Sequence, residues 1–285
     1  MEKFIENGCF ESEKIKHIIS SDFEYIQFKK LLEYSELNHA YILKTNEMNF
    51  RVGKDFRNIE NVKINLKKVA EELKFSYDNI IRPDYDHTNN VMIISEYKET
   101  EKPSLNGENF KETDGLITNL NEVPIMSTNA DCNLIILYDP IKKVFANVHA
   151  GWRGTFGKIV QNAILKMQEE YGCDIKNIIS CLCPSIRKCH FEVDCDVAEL
   201  CIKIFEYTGR LEEIIEKGEI KEGKQKFYID TVLINKILLE EIGVVEENIV
   251  DSEICSVCNS NKIHSRRADG LNFGLGMAII QKNKN

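Results

Sequence analysis

The feature that most constrains the fold is a pair of short apolar segments, NLIILYD (133–139) and KVFANVH (143–149). Segments of this length and apolar content are typical of buried strands. The sequence DPIKK joins them, and a turn with proline near its centre is suited to connecting antiparallel neighbours. We therefore predict a β-hairpin, with both strands in the core.

The register of this hairpin has a chemical consequence. If Tyr138 pairs with Lys143, Cys132 lies opposite His149, and opposed side chains of a hairpin have Cβ atoms about 4.5–5.5 Å apart. A cysteine and a histidine at that separation can share a metal ion or form a thiolate–imidazole pair. The hairpin thus predicts a reactive or metal-binding pair at one end of its strands.

Helices and strands are predicted to alternate along the rest of the chain. Strands are expected at 91–95 and 177–183, helices at 61–74, 156–172 and 231–243, and a helix followed by a surface loop in the charged segment 210–226. The helical segments carry apolar residues at helical spacing, and two of them end at glycine. This mixture predicts an α/β or α+β architecture.

Composition bounds the class of protein. The 285 residues are 43% apolar and show no linker-like stretch, so we predict a single domain over 1–285. The net charge of −9 disfavours general nucleic-acid binding. No apolar run approaches the ~20 residues of a membrane helix. The charged N-terminus MEKFIENGCFESEK lacks a signal-peptide core, so we expect a cytoplasmic protein whose ten cysteines are thiols or metal ligands.

The segment AGWRGT (150–155) follows the second apolar strand and leads into a predicted helix. Gly151 and Gly154 allow close approach of the backbone to a ligand. The N–H groups of a helix start favour an anion, and Arg153 adds a guanidinium suited to phosphate. Asp131, next to Cys132, is placed to orient a ligand. The residues alone indicate a metal or thiol site beside an anion pocket.

A second group of cysteines is Cys255 and Cys258, in a CxxC spacing. Such a pair is half of a zinc site, a redox pair, or two reduced thiols without a special role. Cys181 and Cys183 are the candidates for completing four thiolates, although CxC with CxxC is not the usual paired spacing of zinc sites.

Five sequence blocks occur in an order that resembles one known family. They are DGLITN (114–119), ADCNLIILYDP (130–140), VHAGWRGT (148–155), CPSIRKCHFEV (183–193) and HSRRADG (264–270). Together they look like the YfiH-type laccase-domain family, also described as multicopper polyphenol oxidases and as purine nucleoside phosphorylases. The resemblance runs from about residue 38 to 280.

This resemblance implies an αββα sandwich with two packed mixed sheets. It implies cleavage of adenosine, inosine, guanosine and methylthioadenosine by phosphate to the free base and a sugar 1-phosphate, with deamination of adenosine as a further activity. The family site is a zinc ion held by two histidines and one cysteine, and two of these match Cys132 and His149. Arg153, Arg266 and Arg267 are the candidates for binding phosphate, with Asp131 beside them.

The third ligand of the family does not match directly. Its histidine belongs to a QxH motif, and the best match, IISEYKET (93–100), places Tyr97 at that position. His87 lies ten residues upstream and would serve only if the strand were realigned. A phenol of pKa about 10 is a poor zinc ligand near neutral pH. We therefore expect deamination to be more impaired than phosphorolysis.

Three other classes of function remain open. A degenerate, non-catalytic nucleoside-binding protein is motivated by Tyr97. A copper-dependent polyphenol oxidase is disfavoured, because six scattered histidines without a His-x-His pair do not readily form a multicopper centre. A cysteine hydrolase would use Cys132 as nucleophile and His149 as base. The expected partners are purine nucleosides and phosphate, with no nucleic acid and no membrane.

Overall fold

The computed structural model describes residues 9–45, 47–52, 58–97, 102–105 and 110–284. The strands in these ranges are β1 (Ile15–Ile19), β2 (Glu24–Phe28), β3 (Leu37–Ile42), β4 (Val91–Ile94), β5 (Gly115–Thr118), β6 (Ile125–Asn129), β7 (Asn133–Asp139), β8 (Val144–Ala150), β9 (Ile179–Leu182), β10 (Glu192–Val193), β11 (Ile215–Lys221), β12 (Lys224–Ile229), β13 (Ile249–Asp251) and β14 (Gly276–Lys282). The helices are α1 (Ile59–Leu73), α2 (Trp152–Phe156), α3 (Ile159–Tyr171), α4 (Cys195–Phe205), α5 (Leu211–Ile214), α6 (Thr231–Ile242) and α7 (Arg266–Asp269).

The strands form two large sheets and one small one. The six-stranded sheet has the order β13-β9-β7-β8-β5-β4 and is mixed, because β13–β9 and β4–β5 are parallel pairs. The five-stranded sheet, β1-β2-β3-β14-β6, is antiparallel in every pair. A three-stranded sheet, β10-β12-β11, lies outside both.

Three apolar clusters separate the layers of the fold. One lies between the two large sheets and includes Tyr41, Ile136 and Phe145. A second packs α1 on the outer face of the five-stranded sheet. The third packs α3 and α6 on the outer face of the six-stranded sheet. The predicted αββα sandwich is therefore confirmed, and the central hairpin is fully buried because both its faces are covered.

The predicted hairpin forms, but its register was predicted wrongly. Asp139 pairs with Val144, and Leu134, not Cys132, lies opposite His149. The turn is set by the Asp139 carboxylate, which accepts hydrogen bonds from the backbone N–H groups of the two residues that follow Pro140. The register differs from the predicted one by two residues, so Cys132 becomes a diagonal neighbour of His149 and stays on the same face.

Two other segments differ from their predicted structure. The predicted helix 156–172 starts later, as α3, and a separate short helix, α2, precedes it; Lys158 between them has a left-handed backbone with φ 59°. The prediction of a helix and a loop at 210–226 was wrong beyond the short α5, because β11 and β12 form a hairpin there. Glu222 and Gly223 at its tip both have positive φ, as tight hairpin turns require.

None of the helices among the described residues is long and apolar enough to cross a membrane.

The buried His39 on β3 is expected to make the fold sensitive to acid. Its Nε2 accepts a hydrogen bond from the backbone N–H of Phe28, so protonation of this nitrogen would break that bond. Burial lowers the pKa of His39 from 6.5 to about 3. Below pH 6.5 the unfolded chain therefore binds a proton that the folded chain excludes. This contribution to stability is complete above pH 6.5 and is lost as the pH falls toward 3, by about 1.4 kcal/mol per pH unit.

Urea unfolding of the wild type and of His39→Gln between pH 7.5 and 5 measures this effect. The glutamine carbonyl can accept the Phe28 N–H but does not titrate, so the variant should lose less stability on acidification. Equal pH slopes for the two proteins would show that His39 does not titrate on unfolding.

Candidate metal centre and cavity

Three side chains from separate parts of the chain meet at one end of the central hairpin. His87, Cys132 and His149 each place a ligand atom within 4.8 Å of the other two. The Sγ atom of Cys132 lies 3.9 Å from Nε2 of His87, and the two imidazole rings meet edge to face with centroids 5.0 Å apart. We call these residues the trio. Two imidazoles and one thiolate form a donor set suited to a metal ion.

Asp114 orients two members of the trio. This carboxylate is fully buried, and its Oδ1 accepts a hydrogen bond of 2.7 Å from Nδ1 of His149. A carboxylate can only accept here, so Nδ1 carries the proton and Nε2 of His149 is the nitrogen left for a ligand. A carboxylate behind a histidine in this way fixes the ring and raises its basicity as a metal ligand.

The same carboxylate holds the loop that carries His87. The backbone N–H groups of Asp86, His87 and Thr88 all donate to it, and so does the Thr88 hydroxyl. His87 has a left-handed backbone with φ 56°, a conformation that costs a non-glycine residue of order 1–2 kcal/mol. The turn is strained, and the bonds to Asp114 maintain it.

The electrostatics of the trio favour a charged pair. Burial raises the pKa of Cys132, but the charge of His149 and hydrogen bonds from His149 and His87 outweigh this and lower it to about 6. Burial lowers the pKa of His149, whereas the Cys132 thiolate and the Asp114 carboxylate raise it to about 9. A thiolate is therefore available near neutral pH, which is the form that binds metals.

Glycines in the AGWRGT segment make room for His87 and its loop. A Cβ atom on Gly151 would lie 2.8 Å from Cδ2 of His87 and 3.5 Å from Sγ of Cys132. One on Gly154 would lie 2.7 Å from the backbone oxygen of Thr88. We expected these glycines to let a ligand approach the backbone. In the structure, the loop that carries His87 takes most of the space that they leave.

Tyr97 does not occupy the position that the sequence assigned to it. Its hydroxyl donates to the backbone oxygen of Asp78 at 2.8 Å, and its ring packs against the cluster between the two large sheets. His87 joins the trio instead. Tyr97 as a replaced ligand therefore stays a prediction that this geometry does not support, because the third candidate ligand, His87, comes from the loop before β4 rather than from the end of that strand.

The trio lies in the wall of a cavity of about 850 Å³. Arg153, Arg266 and Arg267, the predicted phosphate-binding residues, all line it. The Arg153 guanidinium stacks on Trp152 at 4.2 Å, and that of Arg266 lies 5.8 Å from the Phe273 ring. Cationic groups and aromatic faces are thus combined in one cavity.

Arg267 and Asp131 make contacts that favour a positioning role. Both terminal nitrogens of Arg267 donate to backbone oxygens, those of His190 and Glu192, at 2.8 and 3.0 Å. The Asp131 carboxylate accepts from the Ser256 hydroxyl and from the Arg267 backbone N–H. Direct phosphate binding by these two residues stays a prediction. Arg153 and Arg266 are exposed, and their guanidinium groups lie over aromatic rings of the cavity.

Only a short helix follows Gly151. The helix α2 has five residues, so the predicted anion site at the start of a long helix lacks the aligned peptide dipoles that would support it. Attraction of an anion into the cavity therefore rests on the arginine side chains. Arg82, which the sequence analysis missed, also lines the cavity, with its guanidinium 5.1 Å from the Tyr85 ring.

Sequence reasoning also missed Asp114. It is the first residue of the DGLITN block, and a carboxylate directly before a short, mostly apolar strand was the available signal. His87 was named only as an upstream alternative. Its position depends on a turn that is held by hydrogen bonds to Asp114, 27 positions away, and no local sequence pattern reveals such a contact.

Comparison with known proteins places the chain in a family. Residues 40–283 match the family model described as multi-copper polyphenol oxidoreductase laccase. The chain belongs to this family, as the sequence blocks predicted.

Relatives with assigned names support the same placement. The chain is 29% identical over 230 residues to purine nucleoside phosphorylase LACC1 of Mus musculus, covering 77% of this chain and 47% of that protein. It therefore spans about half the length of that relative. It is 30% identical over 223 residues to adenosine deaminase RL5 from an unknown prokaryotic organism, covering 78% of this chain and 81% of the relative.

A solved structure shows the same fold. The crystal structure of the hypothetical protein YfiH from Bacillus licheniformis matches with a TM-score of 0.81 at 20% identity, covering 94% of this chain and 99% of that one.

The residues present fit a single metal ion better than a multicopper centre. Two imidazoles and a thiolate provide three ligands and leave a fourth position open, as in catalytic zinc sites. Four of the six histidines of the chain lie outside the trio, and His39 and His264 donate to or accept from backbone groups elsewhere. Too few imidazoles remain for several copper ions.

Proposed function

We propose that this protein is a purine nucleoside phosphorylase that cleaves adenosine, inosine, guanosine and methylthioadenosine with phosphate. The observation that carries the proposal is the combination, in one cavity, of the trio with exposed arginine side chains. The relative named purine nucleoside phosphorylase supports the reaction class. The cavity, at about 850 Å³, is large enough for a nucleoside and a phosphate.

In this reaction a phosphate oxygen forms a bond to C1′ of the sugar while the bond from C1′ to the purine nitrogen breaks. The purine leaves with the electron pair of that bond and takes up a proton. Arg153 and Arg266 would hold the phosphate dianion against the sugar, and this positioning lowers the entropic part of the barrier. The aromatic rings of Trp152 and Phe273, beside these arginines, offer stacking surfaces to the base.

Zinc is the metal that we propose for the trio. When bound, zinc lowers the pKa of a water ligand to about 7 and polarises oxygen atoms as a Lewis acid. His87, Cys132 and His149 would hold it, and Asp114 would keep His149 in the tautomer that leaves Nε2 free. Copper is the less suitable alternative because the chain supplies one mononuclear donor set here.

Deamination of adenosine is the second activity that we propose for the same site. The trio supplies the ligands for a metal that activates water, and the relative named adenosine deaminase favours this reaction. The expectation that deamination is more impaired than phosphorolysis rested on Tyr97 as a lost ligand. With His87 in the trio, we propose that both activities are retained.

Release of ribose 1-phosphate from adenosine and from inosine, with and without inorganic phosphate, tests the proposal on the zinc-loaded protein. We expect release that depends on phosphate, together with formation of inosine from adenosine. Folded, zinc-loaded protein that releases no ribose 1-phosphate from either nucleoside would overturn the phosphorylase proposal. Nucleoside binding without turnover would then favour a non-catalytic binding protein, whereas phosphate-independent base release would indicate a hydrolase.

A further inference from the structure

We propose that Cys189, His190, Cys255 and Cys258 bind a structural zinc ion at a second site, separate from the trio. The four ligand atoms lie within 4.8 Å of one another. None of these residues lines the cavity, so this site is distinct from the candidate active site. The proposal is independent of the proposed function.

Four of the five distances between the ligand atoms are close to those of a tetrahedral metal site, and the fifth, between the adjacent Cys189 and His190, is shorter. With Zn–S of about 2.3 Å and Zn–N of about 2.0–2.1 Å, a tetrahedron has S···S edges of about 3.8 Å and S···N edges of about 3.6 Å. The Cys189 Sγ atom lies 3.5 and 3.9 Å from those of Cys255 and Cys258. His190 Nδ1 lies 3.0, 3.7 and 3.5 Å from the sulfur atoms of Cys189, Cys255 and Cys258.

These contacts are too long for covalent bonds between the cysteines. A disulfide has sulfur atoms about 2.05 Å apart, and none of the ten cysteines forms one. The sulfur atoms of three thiols and one imidazole nitrogen lie 3.0–3.9 Å apart, so that one ion could contact all four. Three sulfur donors and one nitrogen are one of the usual ligand sets of structural zinc.

The completing ligands differ from those that the spacing suggested. Cys181 and Cys183 are fully buried in the cluster between the two large sheets, and burial raises the pKa of each thiol above its usual range. Neither belongs to the group of four. Cys189 and His190 take their place, and they lie in the turn between β9 and β10.

Two neighbouring chain segments are joined at this site. The segment after β9 and the segment after β13 run side by side, with a parallel bridge between Ser185 and Cys255. The Ser185 N–H donates to Ile254 O, and the Ser256 N–H donates to Ser185 O. The CxxC turn supplies two ligands to one side and the Cys189–His190 turn supplies two to the other. A metal ion with four protein ligands has no open position, which is the arrangement of structural zinc sites.

This second site is connected to the cavity wall. The backbone oxygen of His190 accepts from the Arg267 guanidinium at 2.8 Å, and the Ser256 hydroxyl donates to Asp131 at 2.6 Å. His190 is one of the four ligands and Ser256 follows Cys255, whereas Arg267 and Asp131 line the cavity. The zinc ion would therefore fix the positions of Arg267 and Asp131 without contacting substrate.

The metal content of purified wild type, Cys258→Ser and Cys195→Ser tests the proposal. Cys195 is exposed, its thiol donates to the backbone oxygen of Gln225, and it is not one of the four residues, which makes it a matched control. We expect Cys258→Ser to contain one equivalent of zinc fewer than the wild type, and Cys195→Ser to equal it. Equal zinc in all three proteins would overturn the proposal.

A second measurement decides the question if Cys258→Ser does not fold. Cobalt(II) is exchanged into Cys132→Ser, in which the trio has no thiol. We expect one equivalent with strong thiolate-to-cobalt charge-transfer absorption and the intense visible bands of tetrahedral cobalt. Cobalt binding without thiolate absorption, or no cobalt binding by the folded variant, would exclude a site of three thiolates.

Discussion

His87→Ala is expected to lower kcat/KM for phosphorolysis by more than about 100-fold and to weaken zinc binding. Loss of a residue that only supports a metal ligand typically costs about 10–100-fold, and loss of the ligand itself should cost more. The variant leaves two ligands, Cys132 and His149, where a catalytic zinc site usually has three. His87 is exposed at the cavity wall, so its truncation should leave the unfolding temperature of the metal-free protein nearly unchanged. Metal content, zinc affinity and ribose 1-phosphate release measure these effects.

The matched control is Tyr97→Phe. Sequence alignment alone assigns the ligand position to Tyr97, whereas its hydroxyl contacts the backbone oxygen of Asp78. We expect this variant to retain the zinc and the activity of the wild type. The opposite pattern, with zinc lost in Tyr97→Phe and kept in His87→Ala, would show that the chain does not use His87 as a ligand.

The two candidate ligands that the sequence revealed lie on one local element. Cys132 and His149 belong to a hairpin whose strands are adjacent in sequence and strongly apolar. The register error was two residues, which keeps both side chains on the same face, so the pair was found in spite of it. Local pattern and short-range pairing were sufficient for this part of the site.

The third candidate ligand, His87, could not be found in the same way. His87 lies in a polar loop, and its left-handed turn is stable because Asp114 collects the N–H groups around it. That arrangement exists only after β4 and β5 have paired in parallel and placed the loop beside the carboxylate. The same holds for Cys189 and His190, which meet the CxxC turn only through the contact of two segments about 65 residues apart.

Asp114→Asn is expected to lower kcat/KM for phosphorolysis and the affinity for zinc by about 10–100-fold each. This range is typical when a carboxylate that supports a metal-binding histidine is lost. The carboxylate accepts from Nδ1 of His149 on one oxygen and from Thr88 on the other. The amide of the variant would have only one acceptor oxygen. Its NH₂ group would face either the N–H of His149 or that of Thr88, and two donors cannot bond to each other. Either His149 or the loop of His87 must then lose its partner.

The loss at the metal site has to be separated from a general loss of stability, since Asp114 is fully buried. Asp139→Asn is the matched control: Asp139 is equally buried, and it accepts backbone N–H groups at the far turn of the same hairpin. Zinc affinity is measured by competition with a chelator at a temperature where both variants are folded. We expect weakened affinity in Asp114→Asn alone, because only this carboxylate orients the trio. Equal zinc affinity in the two variants would show that Asp114 supports the fold and not the metal ligands.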